Sequence, residues 1–248
     1  MAFFAVACAL TWALALPTAW AWLQRRAPTP GAIAAAGLSA FGPLLAALVV
    51  AGRRRALGQV FGRWRTNPQW VLVAFAIPLA IHAVARGLFV ATGGHLETWL
   101  NTPATPEAMA ALVVFPLGEE FGWRGFAHPR AAARFGPVRG ALLVGVVWGL
   151  WHLAYAITPT AAAFDPFTFG MTMLELPLYA LPIAWVFERA NRSMAVALAI
   201  HAAAHVDHIE LAPRTDLRLH ALHLAVLAVA AVLAAGALSR RARRPGQW

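Results

Sequence analysis

Eight long apolar stretches follow one another along the chain, and they constrain its fold more than any other feature. Each approaches the roughly 20 residues that a helix needs to cross the hydrocarbon core of a bilayer. The chain is 60% hydrophobic and only 12% charged, which excludes a water-soluble domain because too little polar surface would remain. The sequence therefore predicts an all-α polytopic membrane protein with about eight transmembrane helices. The stretches cover residues 2–23, 31–51, 69–92, 106–127, 139–157, 170–188, 193–209 and 219–238.

The basic residues are all arginine, and their distribution predicts the orientation of the chain. Twenty arginines against ten acidic residues give a net charge of +10, which in a soluble protein would suggest nucleic acid as a partner. In a membrane protein the same charge is typical of cytoplasmic loops. With the N-terminus inside, fourteen arginines fall in inner loops or the tail and four in outer loops. We therefore expect both termini in the cytoplasm, contact with membrane lipid, and no nucleic-acid binding.

The chain is predicted to form a single integral membrane domain over residues 1–248, because no repeat, low-complexity tract or soluble domain interrupts the apolar stretches. Its content of alanine, glycine and arginine indicates a bacterial protein, and hence a multi-pass protein of the bacterial cytoplasmic membrane. Cys8 is the only cysteine, which excludes an internal disulfide and a zinc site built from cysteines.

The fourth apolar stretch carries three charged residues well inside its boundaries, namely Glu119, Glu120 and Arg124. Each charge at the centre of a membrane helix costs about 2.5–3.5 kcal/mol on insertion scales. Glu120 and Arg124 are four residues apart and can form an ion pair on one helix face. Glu119 points about 100° away around the helix and has no such local partner. Its carboxylate is therefore the strongest candidate for a functional group. Three glycines beside the cluster allow neighbouring helices to come close.

Histidines in two later stretches add polar groups at a similar depth. His152 lies in the fifth stretch, and His201 and His205 are one helical turn apart in the seventh. At 1.5 Å per residue, these three residues and Glu119 lie about 12–20 Å from the predicted inner ends of their helices. A carboxylate and three imidazoles at one depth, open from the cytoplasmic side, have the composition of a hydrolytic site.

The residues of this polar layer resemble three motifs of the CPBP family, which comprises CAAX proteases and bacteriocin-processing enzymes and is also called Abi. The segment Glu119-Glu120-Phe121-Gly122-Trp123-Arg124 resembles its EExxxR motif, Trp148-xxx-His152 its motif of an aromatic residue four before histidine, and His201-xxx-His205 its His-xxx-Asn motif. The resemblance covers roughly residues 106–209, which are interpreted as the core that carries the catalytic motifs.

The resemblance implies a bundle like that of CAAX prenyl endopeptidases, and a glutamate-type peptidase that uses neither a metal nor another cofactor. By this similarity Glu119 would act as general base on a water that His152 helps to hold, while Glu120 and Arg124 would orient these groups. The implied reaction hydrolyses a peptide bond near the cytoplasmic half of the membrane. Its substrate would be a peptide or membrane protein, such as a C-terminal sorting signal, a lipidated peptide or a secreted peptide.

His205 departs from the family pattern, which has asparagine at this position. The resemblance implies that His201 and the residue four positions later donate hydrogen bonds to the oxyanion of the reaction. Asparagine donates an amide N–H in any protonation state, whereas histidine donates only in the right tautomer or as the cation. Three imidazoles and one carboxylate also form a plausible zinc site, so a zinc-dependent membrane protease using His152, His201 and His205 is kept as an alternative.

Two further alternatives do not involve hydrolysis. The polar cluster could bind a partner helix in a non-catalytic immunity or scaffold protein, or relay protons in a transporter, although no inverted repeat is found. Hydrolysis is favoured because the sequence offers no structural role for Glu119. The remaining polar residues are given simple interpretations. Arg86 and His82 are expected to snorkel or pair, and Glu175 is expected to partner Arg86 or to line the cavity. Ordinary interfacial polarity is expected of the polar residues near the outer ends of the last two stretches: Asp207, His208, Glu210, His220 and His223.

Overall fold

The structure is a computed structural model that describes residues 2–52, 58, 60–100, 105–158, 163–206 and 217–242. A helix occupies each of the eight apolar stretches, so the prediction of an all-α membrane fold is confirmed. The helices are α1 (Ala2–Leu23), α2 (Pro30–Ser39), α3 (Gly42–Ala51), α4 (Pro68–Ala91), α5 (Pro106–Glu120), α6 (His128–Phe135), α7 (Pro137–Trp151), α8 (Pro166–Arg189), α9 (Met194–Val206) and α10 (Leu217–Ala242).

Three short elements complete this framework and lie beside the site described below. A π-helical segment, Phe121–Ala127, joins α5 to α6, and a 3-10 turn, His152–Tyr155, follows α7. Strands β1 (Ile157–Thr158) and β2 (Ala163–Phe164) form a small antiparallel pair before α8 begins. Asp165 caps α8, because its side chain accepts a hydrogen bond from the backbone N–H of Phe167 at 3.2 Å.

The predicted count of eight membrane spans is not confirmed. Within the described part of the chain, five helical segments are long and apolar enough to cross a membrane, namely α1, α4, α7 with its 3-10 turn, α8 and α10. Helices α2 and α3 make a sixth span if the bent pair is counted as one. The fourth stretch falls short because α5 gives way to π-helix after 15 residues, and α9 is 13 residues long.

The bend between α2 and α3 lies against the segment that carries the charges. The two helices meet at an angle of 62°. A side-chain carbon added to Gly118 would lie 2.7 Å from the backbone oxygen of Ala40, and one added to Gly122 would lie 2.5 Å from the carbonyl carbon of Pro43. Only glycine allows backbones to come this close, as the sequence predicted. The charged segment is therefore fixed directly against the bend.

Hydrogen bonds between α1 and α7 fix the end of α7, from which His152 follows. The indole N–H of Trp151 donates to the hydroxyl of Thr11 at 2.6 Å, and that hydroxyl donates to the carbonyl of Ser39 at 2.9 Å. In return, the indole N–H of Trp12 donates to the carbonyl of Trp151 at 3.0 Å. Buried polar groups are costly unless paired, so these bonds favour one arrangement of the three helices.

The start of α9 is held by the segment that precedes α4. The backbone N–H of Met194 donates to the carbonyl of Arg63 at 2.6 Å, and the hydroxyl of Ser193 donates to the carbonyl of Trp64 at 3.0 Å. The first of these bonds satisfies a backbone N–H that the first turn of a helix leaves without an intrahelical partner, and the second adds a side-chain contact. They fix where α9 begins, and therefore the height of His201 in the bundle.

Candidate active site

Glu120 is the centre of a buried ionic network that joins the first and third motifs. Its Oε1 accepts hydrogen bonds from Nη1 of Arg124 at 2.7 Å and from Nδ1 of His201 at 2.6 Å. None of the three residues is more than 3% exposed. The predicted ion pair between Glu120 and Arg124 is thus confirmed. The bond to His201 was not predicted, because it joins residues 81 positions apart in the chain.

Glu119 is joined to the second motif by a hydrogen bond that the sequence analysis missed. The indole N–H of Trp148 donates to Oε2 of Glu119 at 2.7 Å, and the carboxylate is 5% exposed. The guanidinium of Arg124 lies over the ring of the same tryptophan, 4.5 Å from its centroid. A buried indole N–H generally needs a hydrogen-bond acceptor. By this rule, a hydrogen bond from Trp148 to a buried carboxylate could have been predicted from the sequence.

The hydrogen bonding of His152 defines which of its ring nitrogens carries a hydrogen. Its Nδ1 lies 2.8 Å from the carbonyl oxygen of Trp148. A carbonyl oxygen can only accept, so Nδ1 must be the donor, and in the neutral ring Nε2 is then an acceptor. The ring also packs edge-on against Trp151, with 4.8 Å between the centroids. His152 is therefore oriented to accept a proton or a hydrogen bond through Nε2.

His201 and His205 lie on one face of α9, as their spacing predicted, and the structure shows in addition that they are hydrogen-bonded to each other. Their Nε2 atoms are 2.9 Å apart, and their rings are stacked at 4.8 Å. Because Nδ1 of His201 donates to Glu120, the neutral ring of His201 accepts at Nε2, so His205 is the donor. Glu120, His201 and His205 thus form a chain in which each group orients the next.

A cavity of about 230 Å³ adjoins these residues. Trp148, His152, His201 and His205 line it, and they belong to the motif cluster, which we define as these four residues with Glu119, Glu120 and Arg124. Four more polar side chains from other helices line the same cavity, and we name them the second cluster: His82, Glu175, Tyr179 and His223. The cavity is therefore bordered by two polar clusters, of which the sequence motifs contain one.

The second cluster is a connected hydrogen-bonded group assembled from α4, α8 and α10. The hydroxyl of Tyr179 lies 3.2 Å from Nε2 of His82 and 3.5 Å from Nε2 of His223. Nδ1 of His223 lies 3.2 Å from the Glu175 carboxylate. All four side chains are buried. Their shared signal in the sequence is a polar residue inside an apolar stretch, the same signal that identified Glu119.

Several simple interpretations of the polar residues are corrected by these contacts. Glu175 lines the cavity, as one of its two interpretations had it, but it pairs with His223. Arg86 is buried, and its Nη1 donates to the carbonyl of Trp99 at 3.1 Å. His220 and His223 are 4% and 2% exposed, so both are buried within the bundle and do not lie on its surface. Asp207, His208 and Glu210 lie outside the described residues.

The polar residues of this cavity lie away from the arginine-rich ends of their helices. His201 and His205 lie in the second half of α9, which begins just after Arg192. His223 lies near the start of α10, whereas Arg240 lies near its end. Counted from the arginines, these residues lie at mid-length of their helices or beyond. The expectation of a site near the cytoplasmic half of the membrane, open from the cytoplasmic side, stays a prediction.

Metal binding by the motif histidines finds little support in the geometry. Within the ranges that the structure describes, no group of three or more histidine, cysteine or acidic side chains is arranged to hold a metal ion. Nδ1 of His201 is engaged by Glu120, and Nε2 of His201 faces His205. What the cluster offers instead is a carboxylate base, an imidazole acceptor and a pair of imidazoles that share a proton.

Comparisons with known proteins relate the segment that carries the motifs to a known family. Residues 101–206, which contain all three motifs, match the family model described as Rce1-like, type II CAAX prenyl endopeptidase Rce1-like. The chain is also similar to CAAX prenyl protease 2 of Methanococcus maripaludis. The two are 21% identical over 189 residues, which cover 71% of this chain and 69% of that protein. The matched segment runs from just before α5 to the last residue of α9.

Proposed function

We propose that the chain is a peptidase of the CPBP/CAAX protease family, as the match of residues 101–206 supports, and that it is a metal-independent, glutamate-type intramembrane endopeptidase with Glu119 as its general base. The observation that carries the proposal is the hydrogen bond that the buried Glu119 carboxylate accepts from Trp148, because Trp148 lines the cavity together with His152, His201 and His205. Glu119 itself is not among the lining residues, and Trp148 connects it to the cavity. Hydrolysis of an amide requires a carboxylate base, an acceptor imidazole and hydrogen-bond donors, and these residues supply all three.

In the first step Glu119 removes one proton from a water molecule while Nε2 of His152 accepts a hydrogen bond from its other hydrogen. The oxygen of this water adds to the carbonyl carbon of the scissile peptide bond, and the carbonyl oxygen becomes an oxyanion. The bond from Nδ1 of His152 to the carbonyl of Trp148 keeps Nε2 in its accepting tautomer. Because Trp148 also holds Glu119, one residue orients both groups that act on the water.

In the second step the carbon–nitrogen bond breaks, and the proton held by Glu119 passes to the departing amine. The oxyanion that precedes this step needs hydrogen-bond donors in a site that excludes water. His201 and His205 supply them when the pair carries one proton more than in the neutral state. Glu120 favours that charged state, because its carboxylate accepts from Nδ1 of His201 at 2.6 Å. Arg124 donates to the same oxygen of Glu120 at 2.7 Å and holds this carboxylate in place.

We propose a peptide with a lipid-modified C-terminal region as the substrate class. The relative in Methanococcus maripaludis is named as a CAAX prenyl protease. A lipid group would also keep a peptide at the membrane, where the site is. C-terminal sorting signals and secreted peptides are the alternative substrates that the same cavity would accept.

The deciding experiment measures cleavage of a farnesylated CAAX peptide by purified protein in liposomes. Glu119→Gln keeps the shape of the side chain and removes the base, so we expect a loss of about 10²–10⁴-fold in rate with normal folding. The matched control is Glu97→Gln, since Glu97 is exposed and lies outside the cavity. Parent-level cleavage by Glu119→Gln would overturn the glutamate mechanism. If the control cleaves the unmodified peptide as fast as the farnesylated one, the substrate class is wrong.

A further inference from the structure

A second cavity, of about 630 Å³, lies at the arginine-rich end of the bundle and takes no part in the proposed reaction. Its volume is in the range of pockets that bind small molecules, about 300–1,000 Å³. Four arginines and a single carboxylate are among its lining residues: Arg63, Arg124, Arg130, Arg192 and Glu188. Much of the remaining lining is glycine, alanine and proline, which leaves space beside the guanidinium groups.

The single carboxylate of this cavity is already engaged. Both oxygens of Glu188 accept from Nε of Arg192 at 3.0 Å, and one lies 3.3 Å from Nε2 of His128. Arg63 donates instead to the side-chain oxygen of Asn191 at 2.8 Å, which is a neutral group. Glu188 therefore offsets the charge of one arginine, and the cavity keeps a surplus of positive charge.

Arg124 connects this arginine-lined cavity to the motif cluster. It is 2% exposed, and its Nη1 donates to Glu120. Its other terminal nitrogen, Nη2, is buried and has no hydrogen-bond partner among the residues that the structure describes. Leaving a buried charged donor unsatisfied is costly, so a cavity that reaches this residue is suited to a negatively charged ligand.

An apolar cavity of about 480 Å³ lies beside the arginine-lined one, and Arg130 lines both. The guanidinium of Arg130 rests 3.8 Å from the centroid of the Phe126 ring. Three further phenylalanines border the apolar cavity, namely Phe3, Phe4 and Phe135. A positively charged cavity and an apolar cavity that share one arginine fit a ligand with an anionic head and a hydrocarbon chain.

We propose that the arginine-lined cavity binds the phosphate headgroup of an anionic phospholipid, with an acyl chain of the same lipid in the apolar cavity. Guanidinium groups bind phosphate oxygens through paired hydrogen bonds, and basic pockets between membrane helices are suited to anionic headgroups. Free phosphate shares this chemistry but would leave the apolar cavity unused. The lipid source is therefore the one that both cavities support.

The test is native mass spectrometry of the purified protein after exchange into equal amounts of phosphatidylglycerol and phosphatidylcholine with the same acyl chains. We expect phosphatidylglycerol to be retained in preference. The double variant Arg63→Gln, Arg192→Gln should retain about ten-fold less phosphatidylglycerol than the parent protein. Arg139→Gln is the matched control, because Arg139 is exposed at the same end and outside the lining. Equal retention of the two lipids, or parent-like retention by the double variant, would overturn the proposal.

Two additional measurements keep the outcome interpretable. Arg63→Gln alone leaves the pair of Glu188 with Arg192 intact, so it should fold normally and still weaken retention several-fold. Millimolar inorganic phosphate should not raise the unfolding temperature of protein in phosphatidylcholine, and it should not displace phosphatidylglycerol from protein exchanged into the two-lipid mixture. If it does both, and the effects are absent in the double variant, the site takes free phosphate and the lipid assignment is wrong.

Discussion

The motif cluster and the second cluster border the same cavity but are built in different ways. The motif cluster has three internal spacings of one helical turn, and each carries a contact: Glu120 to Arg124, Trp148 to His152 and His201 to His205. The second cluster has one such spacing, from Glu175 to Tyr179, but its hydrogen bonds all join different helices, since His82 lies in α4 and His223 in α10. A sequence reveals polar groups that are grouped by helix geometry much more readily than groups joined only by packing.

The two clusters also differ in the kind of ionic contact at their centre. Glu120 accepts from both Arg124 and His201, so its partners include a permanent cation. Among the contacts that define the second cluster, the one made by Glu175 is with His223. A histidine is charged only when it is protonated. We therefore expect the motif cluster to govern stability and rate, and the second cluster to adjust the cavity in which the substrate is held.

The largest effect is expected from Arg124→Ala, which leaves Glu120 buried with only a histidine partner. Breaking a buried ion pair costs about 3–5 kcal/mol, so folded yield and activity should both collapse. Arg192→Ala removes a pair of the same spacing whose arginine is 43% exposed, and the loss should be much smaller. Thermal unfolding in detergent checks both variants. If Arg124→Ala were as stable as the parent protein, the motif cluster would not govern stability as we expect.

The next effect concerns His205, where asparagine is the usual residue in the family that the motifs resemble. His205→Ala should lose about 10²–10³ in rate, the usual cost of one oxyanion donor. His205→Asn should keep substantial activity, because its amide donates in any protonation state. The alternative of a zinc enzyme predicts that both variants fail alike. Stoichiometric zinc in the purified parent together with an inactive His205→Asn would favour that alternative.

A smaller effect is expected from Trp148→Phe, which keeps the aromatic ring beneath Arg124 and removes the N–H that holds Glu119. A hydrogen bond to a charged group contributes about 1.5–3 kcal/mol, which corresponds to a rate loss of about 10–10²-fold. Trp185→Phe is the control, since Trp185 packs on Trp70. The measurement is the cleavage rate at saturating substrate. An unchanged rate would show that Glu119 is positioned without Trp148.

The smallest effect is expected from Tyr179→Phe in the second cluster, which removes the hydroxyl that joins His82 to His223. Loss of one neutral hydrogen bond costs about 0.5–1.5 kcal/mol, or roughly 2- to 12-fold. We expect this loss to appear mainly in KM. Tyr155→Phe, which removes a hydrogen bond to Ser39, provides the comparison for a tyrosine outside the cavity lining. A loss in kcat as large as that of His205→Ala would place the second cluster in the reaction itself.

Most of what the sequence predicted correctly rests on local spacing or on burial cost. The eight apolar stretches became helices because a bilayer leaves the backbone few ways to satisfy its hydrogen bonds. The pair of Glu120 with Arg124 and the pair of His201 with His205 followed from positions four residues apart. Hydropathy alone did not determine the number of spans. The second stretch contains a bend and the fourth a π-helix, and both depend on how those segments pack.

The sequence by itself thus determined the class of fold, the identity of the charged residues that need partners and their grouping within each helix. The tertiary structure alone decided that Trp148 donates to Glu119, that Glu120 joins Arg124 to His201, and that a second cluster completes the cavity. These contacts join residues 29 to 97 positions apart. No local period encodes such contacts, because they depend on the angles and heights at which helices meet, and those are set by packing of side chains and glycines across the whole bundle.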